Sequence, residues 1–127
     1  MTTLLLQKVH RLDAQALLPG DSIEMACRGG AKAFGTEDRT GVVAVGRKAD
    51  VVVVDLETIF IVPVHSVDSA LVFNASPANV THVVVDGRVL IDEGEVTFVN
   101  EAELLAESRE AASRVFKAAG VHSRLNP

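Results

Sequence analysis

The sequence predicts a mixed α/β fold laid out as helix, then β, then helix, and three observations carry that prediction. Of 21 valines, 18 lie between residues 42 and 99, whereas 11 of the 16 alanines lie outside that span. Valine is stiff at χ1 and suits a pleated surface, while alanine is the best helix former. Charge divides at the same places. Residues 1–41 hold five basic and five acidic side chains and residues 100–127 hold four of each, so residues 42–99, with three basic and eight acidic groups, carry the whole net charge of −5. Finally, Gly41, Gly46, Gly87 and Gly94 punctuate the middle span into short pieces of strand length.

The elements follow in order. Leu4, Leu5, Leu6, Val9 and Leu12 crowd one side of a first helix that stops before Pro19-Gly20. A second helix is expected from Asp21, whose carboxylate caps the first turn with Glu24 at the capping-box position. Its apolar stripe is Ile23, Ala26, Cys27, Gly30 and Phe34, and Gly35 closes it. Gly29-Gly30 inside that helix costs about 1 kcal/mol per glycine relative to alanine, which points to close backbone packing there. Val51 to Leu56 is too short and too β-branched for a helix and reads as a strand covered on both faces. Ala70 to Phe73 is a weaker strand candidate. Val80 to Asp86 and Arg88 to Asp92 form a hairpin about Asp86-Gly87, a pair suited to turn positions with φ > 0, and Val96 to Val99 adds a last strand. Asn100 and Glu103 cap a final helix with a stripe of Leu105, Ser108, Ala112, Val115, Phe116 and Ala119, ended by Gly120. The tail from Val121 to Pro127 is expected to fray.

Composition excludes several classes of function. At 127 residues one domain, or one domain with an appendage, is the expectation. The single Cys27 cannot form an internal bridge, so a disulfide scaffold and a multi-cysteine zinc module are excluded and a reducing cytoplasm is the expected compartment. The acidic balance, the absence of Trp and Tyr, and a solitary basic pair at Arg47-Lys48 argue against nucleic acid as a partner. Met1 to Lys8 lacks a positive n-region, and no apolar stretch is long enough to cross a bilayer, so neither a secretory signal nor a membrane partner is expected.

No hydrolytic constellation is visible in the residues themselves. The histidines stand at 10, 65, 82 and 122 without His-x-His or His-x-x-x-His spacing, so no metal ligand is assigned to this chain. There is no nucleophile elbow, phosphate loop or dinucleotide fingerprint. Glu37-Asp38 and Asp92-Glu93 read as solvated turn charge. Asp50 and Asp55 bracket four valines and, five residues apart, point to opposite faces of a strand. Asp50 is expected to start that strand and Asp55 to end it by accepting from backbone N–H groups, and no catalytic residue is assigned.

One string is more specific than its parts. Gly30-Ala31 and Phe34-Gly35 close a helix. Thr40-Gly41-x4-Gly46-Arg47-Lys48-Ala49-Asp50 then leads into the valine strand ending at Asp55, and Val80-x-x-Val83-Val84-Val85-Asp86-Gly87-Arg88-Val89 is followed by Gly94. This order resembles the C-terminal part of the amidohydrolase superfamily, in the branch of aminohydrolases, chlorohydrolases and adenosine-type or guanine deaminases. The resemblance implies that residues 1–38 correspond to the last helices of a β/α barrel and residues 39–99 to one share of a composite β-sandwich. Residues 100–120 then form a C-terminal helix and 121–127 a tail. It implies a metal-dependent parent hydrolase, binding zinc or iron, that acts on non-peptide C–N or C–Cl bonds, with its ligands upstream of Met1 and none of this chain's histidines in a ligand position. The chain alone is then inactive, and its uncovered faces imply a homo-oligomer or pairing with the barrel segment. Two other readings remain open at the level of sequence: a stand-alone β-rich binding or assembly module, and a small enzyme built on His65, His82 and the acidic loops.

Overall fold

The computed structural model describes residues 1–121, and the chain divides into two units between Glu95 and Val96. His122, expected in the tail, lies outside the described residues.

The first unit opens with α1 (Thr2–Arg11), which ends in a left-handed Leu12. The second helix is longer than its apolar stripe predicts. It runs as α2 (Pro19–Glu24) through a π-helical turn (Met25–Gly29) into α3 (Gly30–Ala33), with right-handed backbone at each junction. Asp21 is therefore not the residue before the helix but sits inside its first turn, where its carboxylate accepts the Leu18 N–H at 2.8 Å. Pro19 explains the earlier start: its fixed φ suits the first helical position, and the N–H it lacks has no partner there in any helix. At the other end the Gly35 N–H donates to Lys32 and the Thr36 N–H to Ala31, at 3.1 and 2.9 Å. That pair of bonds is a Schellman closure about Gly35.

Four strands follow in the spatial order β1 (Val51–Val54), β2 (Val80–Val85), β3 (Arg88–Asp92) and β4 (Glu95–Val96). β1 pairs antiparallel with β2, Val51 facing Val84, and a bulge falls between Val53 and Val54. β2 pairs antiparallel with β3 through a tight turn in which Asp86 and Gly87 both have positive φ, as a type I′ hairpin requires. The sheet is a single layer. Contrary to the sequence expectation, β1 is not covered on both faces: Val52 and Val53 are exposed, with only Val51 and Val54 half-buried. A continuous valine run states that a strand forms but not how many layers cover it.

Ala70 to Phe73 is also corrected. It is no strand but part of a π-helical turn (Ala70–Asn74) that continues α4 (Val67–Ser69), begun by the Ser66 side chain accepting the Ser69 N–H. Four apolar residues carry no period that separates strand from helix. The expected last strand is shortened to β4, and Thr97 to Val99 form bends.

Burial is sparse. Leu4, Ala31, Ile61 and Ala70 are the buried apolar side chains among the described residues, with Asn79 the buried polar one. Leu5, Leu6, Val9 and Leu12, the rest of the first helix's apolar stripe, lie exposed, as do Phe34, Ile59 and Phe60.

In the second unit α5 (Glu101–Ala118) is capped by the Asn100 Oδ1, which accepts from the Ala102 and Glu103 N–H groups at 3.1 and 3.2 Å. It closes with the Val121 N–H bonded to the Phe116 carbonyl and the Gly120 N–H bonded to that of Lys117. Of its stripe, Leu105, Val115 and Phe116 are exposed.

Candidate functional site

Of the residues singled out from the sequence, Gly46, Ala49, Asp50, Asp86 and Gly87 gather at one end of the sheet. Ala44 to Arg47 form a turn with Gly46 at positive φ and the Arg47 N–H bonded to the Ala44 carbonyl at 3.1 Å. From there the chain is tied backward. The Arg47 guanidinium donates to the Glu37 carbonyl, and the Lys48 N–H donates to the Arg39 carbonyl at 2.9 Å. It is also tied forward to the hairpin turn. The Asp50 Oδ1 accepts the Asp86 N–H at 2.6 Å, the Ala49 carbonyl accepts the Gly87 N–H at 3.1 Å, and the Lys48 ammonium lies 2.7 Å from the Asp86 Oδ1. Arg47-Lys48-Ala49-Asp50 thus clamps the loop after α3 to a turn 36 residues further along the chain. The Lys48 hydrogen bond, and then its charge, hold the Asp86 carboxyl below the usual Asp value, with Arg39 adding a smaller pull against slight desolvation.

Asp55 works separately at the far end of β1. Its Oδ1 accepts the Glu57 N–H at 2.8 Å, and its own N–H donates to the Asn79 carbonyl at 2.7 Å. Buried Asn79 saturates its amide: Oδ1 accepts from the Ser76 N–H and hydroxyl at 2.9 and 3.0 Å, and Nδ2 donates to the Asp55 carbonyl and the Thr58 hydroxyl at 3.3 Å each. Nothing in the sequence pattern singles out Asn79, because it reads as one more loop polar residue after Pro77.

The close packing expected at Gly29-Gly30 occurs elsewhere. A Cβ on Gly30 would meet nothing within 4 Å, and one on Gly29 would make only ordinary contacts. Gly41, with φ +86°, is the residue pressed against the helix: a Cβ there would stand 2.8 Å from the Ala31 Cβ and 3.0 Å from the Cys27 carbonyl. The helix is approached by a glycine from outside it rather than through its own. Gly94 closes the turn after β3 at positive φ, its N–H bonded to the Thr81 carbonyl at 2.8 Å.

The described histidines remain apart. His10 lies in the last turn of α1 and His65 in the loop before α4. His82 on β2 places Nε2 at 3.2 Å from the Asp92 Oδ1 on β3 and Nδ1 at 3.0 Å from the Thr81 hydroxyl. One imidazole engaged with one carboxylate is a cross-strand pair, not a ligand set. Among the described residues no three His, Cys, Asp or Glu side chains converge. A zinc or iron ion needs three or more such donors, so the donor groups described in this chain do not fit the metal that the resemblance implies. Cys27, expected on a buried stripe, is exposed on the π-helical turn.

An open cleft of about 380 Å³ lies between the helix and the loop that follows it, lined by Arg28, Lys32 and Arg47 with Glu37, Thr40 and three small apolar residues. The spacing of Arg28 and Lys32, one helical turn apart, was the available signal.

Comparison with known proteins agrees with the motif string. Residues 1–90 match the model of the amidohydrolase family. The chain is 40% identical over 114 residues to a 5'-deoxyadenosine deaminase of Methanosarcina acetivorans, covering 90% of this chain and 26% of that protein. It is 38% identical over 116 residues to a 5-methylthioadenosine/S-adenosylhomocysteine deaminase of Desulforudis audaxviator, covering 91% and 27%. Among solved structures, a zinc-bound adenosine deaminase of Xanthomonas campestris superposes with a TM-score of 0.88 at 34% identity, covering 91% of this chain and 26% of that one. The zinc complex of atrazine chlorohydrolase from Arthrobacter aurescens superposes with a TM-score of 0.68 at 28% identity, covering 74% and 20%. The chain therefore spans about a quarter of the length of the relatives it matches.

Proposed function

The chain belongs to the amidohydrolase family, and on that premise we propose that it is the C-terminal part of a metal-dependent hydrolase of non-peptide C–N or C–Cl bonds, with deamination of an adenosine-type nucleoside the favoured reaction. The observation that carries the reading is 40% identity to a 5'-deoxyadenosine deaminase along 90% of the chain, with the same fold in a zinc-bound adenosine deaminase. In this reading the metal and its ligands belong to the three quarters of the relatives that the chain does not span. The residues described here supply scaffold: the clamp about Lys48 and Asp50, and the packing of Gly41 on the helix.

The finer architecture belongs to the same proposal. Residues 1–38 are the last barrel helices, residues 39–99 this chain's share of a composite sandwich, and residues 100–120 a terminal helix, in a cytoplasmic protein. Two features support it: β1 has no strand neighbour other than β2 in the sheet order, and the apolar faces of α1 and β1 lie open. Open strand edges and apolar faces recruit cover, here the barrel segment or a second copy of the chain. Among the described residues no helix is long and apolar enough to cross a membrane.

Reading the coding sequence in frame ahead of the Met1 codon tests the assignment. Continuation into a segment containing His-x-His supports it, and an in-frame stop directly upstream transfers the chain to the stand-alone module. Sedimentation with an apolar dye tests the cover: a monodisperse monomer that leaves the dye dark contradicts it.

A further inference from the structure

We propose that the cleft beside the π-helical turn binds a dianionic phosphate group, the headgroup of a small phosphate monoester or free phosphate. Arg28 lies on that turn and Lys32 one helical turn on, while Arg47 arrives from the loop clamped to Glu37. Like charges at this helical spacing destabilise a helix when they have no counter-charge. The Arg28 and Lys32 side chains form no ion pair or hydrogen bond with the described residues, and the only carboxylate lining the cleft, Glu37, lies beyond ion-pair distance of all three cations. Counting Glu37 against them leaves two positive charges uncompensated in a chain whose net charge is −5.

The dimensions of the cleft suit a small anion. Its volume of about 380 Å³ sits at the small end of small-molecule pockets, too small for a polypeptide face, and the acidic chain offers no basic track for a nucleic-acid backbone. Planar guanidinium forks match phosphate oxygens in pairs. The methyl groups of Ala31, Val42 and Ala44 give the remainder of a small ester an apolar wall. Short π-helical segments inside α-helices are frequent at functional positions, and this one carries Arg28.

Titration calorimetry on the 127-residue chain, at ionic strength held constant with sodium chloride, tests the proposal with inorganic phosphate and ribose 5-phosphate as the added ligands. The expected result is saturable binding in the millimolar range, weakened at least tenfold in the R28Q/K32Q double variant and retained in the charge-conserving R28K/K32R variant. Tighter binding of ribose 5-phosphate assigns the site to a monoester, and equal affinities assign it to free phosphate. Absence of saturable binding for both ligands overturns the proposal. So does unchanged affinity in R28Q/K32Q, or equal loss in the two double variants, which would mark a structural effect rather than one of charge.

Discussion

Replacing Gly41 by alanine perturbs one contact whose geometry is fully specified. The new Cβ would lie 2.8 Å from the Ala31 Cβ, 3.0 Å from the Cys27 carbonyl oxygen and 3.4 Å from the Arg28 Cα. None of these is the end of a flexible side chain, so the loop must lift from the helix. Overpacking of this kind costs about 1–3 kcal/mol, and holding a residue with a Cβ at the left-handed φ of Gly41 adds about 1–2 kcal/mol. Reduced freedom of the unfolded chain returns about 0.4–1 kcal/mol. The net expectation is a destabilisation of roughly 1–5 kcal/mol, centred near 3, or about 10 °C in Tm for a domain of this size. The control lies eleven residues earlier. Gly30→Ala meets no atom within 4 Å and keeps helical backbone, so it is expected to stabilise by about 0.8–1 kcal/mol. With no Trp or Tyr in the sequence, far-UV circular dichroism through a urea series is the measurement. A Gly41→Ala variant as stable as the parent, or a Gly30→Ala variant equally damaged, refutes the packing argument.

Three further expectations concern the clamp and the buried amide. Asp50→Ala removes the acceptor of the Asp86 N–H and is expected to cost about 1–2 kcal/mol, read as a lower urea midpoint with unchanged slope; an unchanged midpoint would remove the clamp from the account. Asp86 is held below its ordinary pKa by Lys48, so the stability it contributes is present above the usual Asp range and is lost as pH falls through its folded value. The stability gap between the parent and Lys48→Met should therefore narrow on acidification, and a gap that widens contradicts the assignment. Asn79→Ala leaves the Asp55 carbonyl and the Ser76 N–H without their partner and is expected to cost about 2–3 kcal/mol, measured by the same urea series.

Local chemistry was legible where a residue type has one strong use. Asp86-Gly87 specified a hairpin turn, Asn100 a helix start, Gly35 and Gly120 helix ends, and the four valines a strand, because each exploits a backbone geometry that few alternatives satisfy. The second helix starts earlier than Asp21 indicates because Asp21 suits both the position before a helix and its first turn, and Pro19 decides between them. The four residues Ala70 to Phe73 fit either period, and Ser66 imposes the helical choice from outside the run. The sequence points to close packing at Gly29-Gly30 whereas the structure needs a glycine at Gly41, since a sequence shows a helix's own glycines and not what approaches it. The cover expected over β1 reflects a strand's composition, which is set by the surroundings in which it is used rather than by the layers this chain supplies. Of the motif string, its order located the segments that meet, but the bonds joining Lys48 and Asp50 to Asp86 and Gly87 depend on the hairpin folding back, which no local pattern records.

In the function proposed above, this chain contributes scaffold, and no metal ligand or reacting group, to a metal-dependent hydrolase. The most direct test is metal content and ammonia release from 5'-deoxyadenosine for the isolated 127-residue chain supplied with zinc. Neither stoichiometric tightly bound zinc nor ammonia above the buffer rate is expected. One zinc per chain together with ammonia release by that chain alone would contradict the scaffold role.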